Sequence, residues 1–273
     1  MKKRGKRIKM IALLLIIAIA FAMFVYYQDY VLQVTNIKIA TDKISAPVRI
    51  VQLSDLHGAE FGKDNERLIE LVKTQKPDII CFTGDLIDKR RKQIDGGINL
   101  LIELKKIAPI YYIPGNHEFY SGLSDVIYSR LNDAGINVMQ CDIAEFDKDG
   151  AKIQILGLSE AEVTKAEITD KISEFEKLDG YKILLSHYPE NFKKYQKDNI
   201  DLMLAGHAHG GQIILPFIGG LYAPGQGFFP KYYRGLYEEN GVKMVVSRGL
   251  GNSLFPLRIF NRPEVVVIDL SPT

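Results

Sequence analysis

The chain has 273 residues, 47% of them hydrophobic and 25% charged, with 23 Gly, 11 Pro and 2 Cys. That composition excludes a disordered, collagen-like or disulfide-stapled protein and leaves room for one large globular domain. The formal charge of +2 contains six positive charges in the first nine residues, Lys2, Lys3, Arg4, Lys6, Arg7 and Lys9, so the rest of the chain carries −4 and is not a surface built throughout to hold nucleic acid.

Residues 1–9 form a basic segment. Met10 to Tyr27 then runs for 18 residues without a charge, proline or glycine. This is long enough for a transmembrane helix, and Tyr26 and Tyr27 stand at its end, where interfacial aromatics sit. Positive residues stay on the cytoplasmic side, so the expectation is a single-pass cell-membrane protein with everything from Gln28 onward outside the cytoplasm. A cleavable signal peptide is the rival reading. Ala18-Ile19-Ala20 and Ala20-Phe21-Ala22 match its small-x-small pattern, but both fall inside the apolar run and not after it. Residues 28–46 are read as a connecting segment with a first strand. Residues 47–273 are read as one domain, because no repeat and no Pro- or Ser-rich linker divides them.

Past the span, short β-type runs alternate with helical stretches. Strands are expected at Arg49-Ile-Val-Gln-Leu, Asp78-Ile-Ile-Cys-Phe, Pro109-Ile-Tyr-Tyr-Ile and Ile136-Asn-Val-Met, with helices near 65–74, 98–106 and 124–134 between them. This alternation predicts βαβ units and parallel strands. The second half is richer in strands: Ile153-Gln-Ile-Leu-Gly-Leu, Lys182-Ile-Leu-Leu-Ser, Asp201-Leu-Met-Leu-Ala, Val242-Lys-Met-Val-Val-Ser and Glu264-Val-Val-Val-Ile-Asp-Leu. Cys81 and Cys141 each lie in a strand-like run and read as two buried thiols, a single bridge between them being the alternative. Gly, Pro and aromatics fill 210–234, a loop long enough to mark either function or a misread element.

All five histidines, His57, His117, His187, His207 and His209, follow an apolar run at its carboxyl end. Their company is Asp55-Leu56-His57, Gly84-Asp85-Leu86-Ile87-Asp88, Gly115-Asn116-His117-Glu118, then His187, then Gly206-His207-Ala208-His209. In open α/β sheets the carboxyl ends of strands meet at one crevice, so these scattered residues are expected to converge. Residues two apart on a strand share a face, which predicts that Asp55 and His57 point the same way, and likewise His207 and His209. Imidazoles mixed with oxygen ligands and a shared carboxylate suit two ions of Mn, Zn or Fe better than Ca or Mg.

These five blocks resemble the signature blocks of the calcineurin-like metallophosphoesterases, over roughly residues 47–270. Gly206-His-Ala-His-Gly-Gly-Gln212, Val246-Ser-Arg-Gly-Leu-Gly251 and Asn261-Arg-Pro-Glu264 are similar to the membrane-anchored or secreted bacterial branch called YkuE-like. The resemblance implies an α/β fold, a four-layer α-β-β-α sandwich behind the N-terminal helix, and two bound metal ions. By motif, Asp55, His57 and His209 are implied to hold one ion and Asn116, His187 and His207 the other, with Asp85 bridging. His117 is then implied to be the general acid, or a contact to the phosphate, with Asp88 orienting its imidazole and favouring its charged form.

The expected chemistry is hydrolysis of a phosphate monoester or diester by water that the two ions have made acidic, without a covalent enzyme intermediate. In keeping with this, the chain has no Gly-x-Ser-x-Gly elbow, no Walker A sequence and no complete dinucleotide fingerprint. A cell-envelope or lipid-linked substrate suits an anchored site. Two other readings are a metal-stabilised envelope scaffold without turnover and a nuclease, the latter disfavoured by the −4 remainder. Lys89-Arg-Arg-Lys92 reads as an anion-attracting patch or a solvated helix start, and Arg248 and Arg258 as phosphate grips or surface ion pairs.

Overall fold

The first apolar stretch lies in one continuous helix, α1 (Lys2–Tyr30), whose residues from Lys6 to Met23 are exposed. Among the described residues α1 is the one helix long and apolar enough to cross a membrane. The computed structural model describes residues 2–273 apart from Lys92, Asp198 and Leu254, with side chains from Lys6 onward. The side chains of Lys2, Lys3 and Arg4, and Lys92 of the basic run, therefore lie outside the described residues.

After α1 come β1 (Gln33–Thr41), β2 (Val48–Leu53), α2 (Glu66–Gln75), β3 (Ile79–Thr83), α3 (Asp95–Lys105), β4 (Ile110–Ile113), α4 (Asn116–Ser121), α5 (Ser124–Asp133) and β5 (Asn137–Val138). Then follow β6 (Cys141–Lys148), β7 (Ala151–Leu158), α6 (Lys165–Phe175), β8 (Tyr181–Ser186), α7 (Phe192–Tyr195) and β9 (Leu202–Ala205). The stretch expected as a long loop carries four two-residue strands, β10 (Ile214–Leu215), β11 (Gly219–Gly220), β12 (Tyr222–Ala223) and β13 (Gly227–Phe228). The chain closes with β14 (Gly235–Glu239), β15 (Val242–Val246) and β16 (Glu264–Pro272).

Two six-stranded sheets form, in the orders β1-β16-β2-β3-β4-β5 and β14-β15-β9-β8-β7-β6. The expected parallel pairings β2·β3, β3·β4 and β4·β5 are present, and so are β7·β8, β8·β9 and β15·β9. Alternation along each strand assigns the layers. Ile50, Ile79 and Cys81 face inward against Ile155, Ile183 and Leu204 of the other sheet. Val51, Ile80 and Phe82 face outward under Leu68 of α2, Leu101 of α3 and Leu131 of α5. On the far side Leu184 and Met203 lie under Phe175 of α6 and Phe192 of α7. The order of layers is thus α-β-β-α, and strands buried on both faces read as the unbroken apolar runs seen in the sequence.

Two local expectations change. Ile136 to Cys141 is not one strand: β5 ends at Val138, and Cys141 opens β6 in the other sheet. Cys141 is therefore half-buried while Cys81 is fully buried, and both are free thiols. Helix α6 was not anticipated. Its N-cap Thr164 accepts the N–H of Glu167, whose side chain accepts the N–H of Thr164, a capping box that fixes the start of the helix.

Candidate metal centre

Each site residue follows the end of a strand: Asp55 and His57 after β2, Asp85 and Asp88 after β3, Asn116 and His117 after β4 as the first residues of α4, His187 after β8, His207 and His209 after β9. The sharing of a strand face does not bring them together. β2 ends at Leu53 and β9 at Ala205, and Asp55, His57, Asp85, His207 and His209 all have positive φ, between 48° and 63°. Non-glycine residues adopt that region at a cost and keep it where the surroundings enforce it, commonly at functional sites. Here the enforcement is a ladder between turns, with Asp55 N–H donating to the Gly84 carbonyl at 2.9 Å and His57 N–H to that of Asp85 at 3.0 Å. Gly206 has no room for a side chain: a Cβ there would lie 1.9 Å from Ser54 Oγ and 2.5 Å from Asp55 Oδ2.

Asp55, His57 and His209 bring one ligand atom each to within 4.8 Å of one another, and so do Asp85, His187 and His207. The Nε2 atoms of His57 and His209 are 3.1 Å apart, and His209 Nε2 is 3.6 Å from Asp55 Oδ1. In the second group His187 Nε2 is 3.2 Å from Asp85 Oδ2 and 3.2 Å from His207 Nδ1. Asp85 Oδ2 also lies 3.6 Å from His57 Nε2, so this carboxylate reaches both groups. All of these side chains are buried.

The donor set fits metal ions. Burial lowers His57 and His207 to about 3 and puts His209 well below its ordinary value, which keeps three imidazoles neutral with lone pairs free. Burial raises Asp55 to about 6. Burial alone would raise Asp85 too, but the neighbouring His187 holds it well below the usual carboxylate range, and the same pairing overcomes burial to raise His187 to about 10. His187 donates Nδ1–H to the Thr83 carbonyl at 2.7 Å, which fixes Nε2 toward Asp85. Asn116 Oδ1 is buried with no hydrogen-bond partner among the described residues, as a ligand oxygen awaiting a cation would be.

His117 stands beside this set, its ring 4.5 Å from that of His57. Its Nδ1 accepts the backbone N–H of Lys89 at 3.2 Å, and its Nε2 is 3.4 Å from Ser253 Oγ. Asp88 does not orient the ring by a hydrogen bond. Its Oδ1 is 3.7 Å from His117 Nδ1, while both its oxygens are taken by Arg90, which holds the carboxyl at about 2 against burial. Nor is the charged imidazole favoured, because burial outweighs the two nearby carboxylates and lowers His117.

Sequence reading gave no role to Glu118, although it belongs to a quoted block. Fully buried, it accepts the N–H groups of Asp85 at 3.0 Å, Ile87 at 3.0 Å and Gly115 at 2.7 Å, and so ties the turn after β3 to the turn after β4. Asn261 was likewise missed; its Nδ2 donates to the His209 carbonyl at 2.7 Å and to that of Gln212 at 3.0 Å. The two arginines considered as phosphate grips are structural. Arg248 pairs with buried Glu264 at 2.9 Å, and Arg258 donates to the carbonyls of Arg248, Gly251 and Asn261.

A family model described as calcineurin-like phosphoesterase matches residues 48–211. A Bacillus subtilis (strain 168) protein named uncharacterized metallophosphoesterase YkuE is 33% identical over 238 residues, 82% of this chain and 79% of that protein. An uncharacterized metallophosphoesterase of Aquifex aeolicus (strain VF5) is 30% identical over 264 residues, 93% of this chain and 97% of that one. Among solved structures, Haemophilus influenzae NAD nucleotidase (NadN) aligns with a TM-score of 0.52 at 18% identity, over 75% of this chain and 45% of that one, a likeness of fold.

Proposed function

The chain belongs to the calcineurin-like phosphoesterase family, and from that premise we propose that it is a membrane-anchored phosphoesterase that hydrolyses a mono- or diester of the cell envelope with two divalent metal ions. The observation that carries the reading is the reach of Asp85 Oδ2 to both buried histidine groups. Asp55, His57 and His209 would hold one ion, Asn116, His187 and His207 the other, and Asp85 would lie between them. Bound there, Mn, Zn or Fe ions supply Lewis acidity, neutralising phosphoryl oxygens and making water acidic enough to attack.

The protein groups do the rest. His117, whose Nδ1 accepts the Lys89 amide, directs its neutral Nε2–H at the departing oxygen of the ester and supports the charge developing there by that hydrogen bond, the oxygen then taking its proton from water. Asp88 acts through Arg90, holding the turn in which the Lys89 amide faces His117. Ser253 Oγ, 3.4 Å from the same Nε2, would lie beside the leaving group. The six positive charges in the first nine residues, ahead of the apolar run, favour a cytoplasmic N-terminus, with residues 28–273 on the other side of the membrane.

The test uses the full chain in detergent micelles, stripped with a chelator and reloaded with Mn, Zn or Fe(II), against p-nitrophenyl phosphate and bis-p-nitrophenyl phosphate. Hydrolysis returns with metal and is lost in Asp85→Asn. No turnover with any of the three ions, or an Asp85→Asn variant as active as the native chain, overturns the reading.

A further inference from the structure

The end of α1 is part of the domain that carries the metal centre. Gln28 is buried and its Oε1 accepts the N–H of Asn261 at 3.0 Å, while Asp29 Oδ1 accepts that of Arg258 at 2.9 Å. The Arg262 guanidinium lies 4.9 Å from the centroid of the Tyr27 ring. The ring of Phe24 meets that of Phe260 at 5.7 Å. Phe24 precedes Gln28 by four residues, so this contact places Phe260 about 6 Å below the level of Gln28 along the helix axis.

Strand polarity puts the metal centre at the same end. β1 starts at Gln33 beside Glu264, and β16 runs antiparallel to β2 with Val266 opposite Gln52. The start of β1, next to the membrane, and the carboxyl end of β2, from which Asp55 and His57 follow, therefore share one end of the sheet. The other end, near Thr41, is about 30 Å away along the nine residues of β1.

That near end is rimmed by exposed aromatics. Phe260 is 54% exposed, Phe228 71% and Phe229 63%, and Phe217 and Ile218 stand out on the turn between β10 and β11. The rim is one connected piece: Ile214 donates to the Ile259 carbonyl at 3.0 Å, Leu221 to that of Ile213 at 2.8 Å, and Phe229 to that of Leu221 at 2.9 Å. Phe217, Phe229 and Phe260 are all held at positive φ, an unusual backbone for a bulky residue. A contiguous apolar rim on an otherwise ordinary surface marks a place of contact, and aromatic rings favour the boundary of a bilayer.

We propose that this rim is a membrane-docking surface, with Phe217, Phe228, Phe229 and Phe260 seated in the head-group layer of the bilayer that α1 crosses, so that the metal centre faces the membrane. The partner is a lipid surface, and the argument for it is the continuity of the rim with α1 through Phe260 and Phe24. Apolar side chains of interfacial elements enter a bilayer by roughly 5–10 Å, which matches the depth of Phe260. The inference rests on the reading of α1 as a membrane span, and the experiment separates the two.

The chain contains no tryptophan, so a single introduced one reports its own surroundings. Full-length chains carrying Phe229→Trp, Phe260→Trp, Leu15→Trp within α1, or Asp147→Trp near the distant β6–β7 turn are reconstituted into phosphatidylcholine and phosphatidylglycerol vesicles with brominated phosphatidylcholine. The expected result is blue-shifted, strongly quenched emission from positions 15, 229 and 260 and unquenched emission from 147. Quenching at 15 with none at 229 and 260 beyond that at 147 overturns the docking surface and leaves the span standing; absence of quenching at 15 overturns both.

Discussion

The backbone N–H of Lys89 donates to Nδ1 of His117 at 3.2 Å. A ring nitrogen that accepts a hydrogen bond carries no proton, so neutral His117 holds its hydrogen on Nε2, and burial favours that neutral form. A proton so placed matters most to esters whose leaving group is a strong base. His117→Ala is expected to lower kcat about 10²–10³-fold on an alkyl phosphate ester, the loss of one donor to a developing negative charge. On p-nitrophenyl esters, whose leaving group develops less charge, the loss is much smaller, and bound metal stays at the native level. Equal losses on both esters would remove the leaving-group role.

Glu118 holds together the turns after β3 and β4 by three backbone amides. Glu118→Gln keeps the volume but presents an NH₂ group where an oxygen accepted an N–H. The expected cost is about 1–3 kcal/mol for a buried donor left without an acceptor. Metal affinity should fall by about 10–100-fold, as when a ligand-supporting partner is lost. Thermal unfolding of the chelated protein reads the first effect, and competition with a chromophoric chelator reads the second.

Arg248 and Glu264 are a buried ion pair that also holds Thr35, whose hydroxyl donates to Glu264 at 2.5 Å. Removing one partner strands the other charge. Arg248→Met or Glu264→Leu alone is expected to cost about 3–5 kcal/mol, and the double variant much less than the sum. Denaturant unfolding of the four chains closes the cycle. KM for a phosphate ester should be unchanged in Arg248→Met, because the guanidinium holds Glu264 and not substrate.

Glu239 gives a pH dependence remote from the metal centre. Lys231, Gln196 and Tyr232 bond its carboxylate and hold it at about 2, below the ordinary 4.5. A carboxyl with a depressed folded pKa contributes stability that is fully present above the unfolded value and is lost as pH falls through the folded one. The Tm advantage of the native chain over Glu239→Gln is therefore expected to be constant above about pH 5 and to vanish between pH 4.5 and 2. Added salt should shrink it, because the cluster is partly exposed. A difference that grows on acidification would contradict the assignment.

The layers were legible because strands buried on both faces write themselves as unbroken apolar runs, and because Asp, Asn and His stand directly at the ends of those runs. The backbone that aims these residues was not legible. Asp55 and His57 converge through left-handed turns beyond β2, a choice made by contacts with Gly84 and Asp85 that no local periodicity records. Helix α6 was overlooked although Thr164-x-x-Glu167 carries a capping-box signal at its start. Arg248 and Arg258 could be read either as phosphate grips or as surface ion pairs because their partners, Glu264 and the carbonyls of Gly251 and Asn261, lie across folded turns. The change of sheet at Gln140 was hidden because an apolar run carries no mark of which sheet it joins.

The last strand of the chain, β16, lies between β1 and β2, with Gln33 beside Glu264 and Gln52 opposite Val266. Residues 264–272 are made after all the other strands. Until they leave the ribosome and, in an anchored chain, reach the far side of the membrane, β1 has no neighbour and β2 has one open edge. The pairing of β1 with β16, strands far apart in sequence, thus waits for the other strands, a topology that slows folding and leaves strand edges exposed meanwhile. An anchored nascent chain would wait in that state beside the bilayer, so its dependence on chaperones should peak just before residues 264–272 emerge.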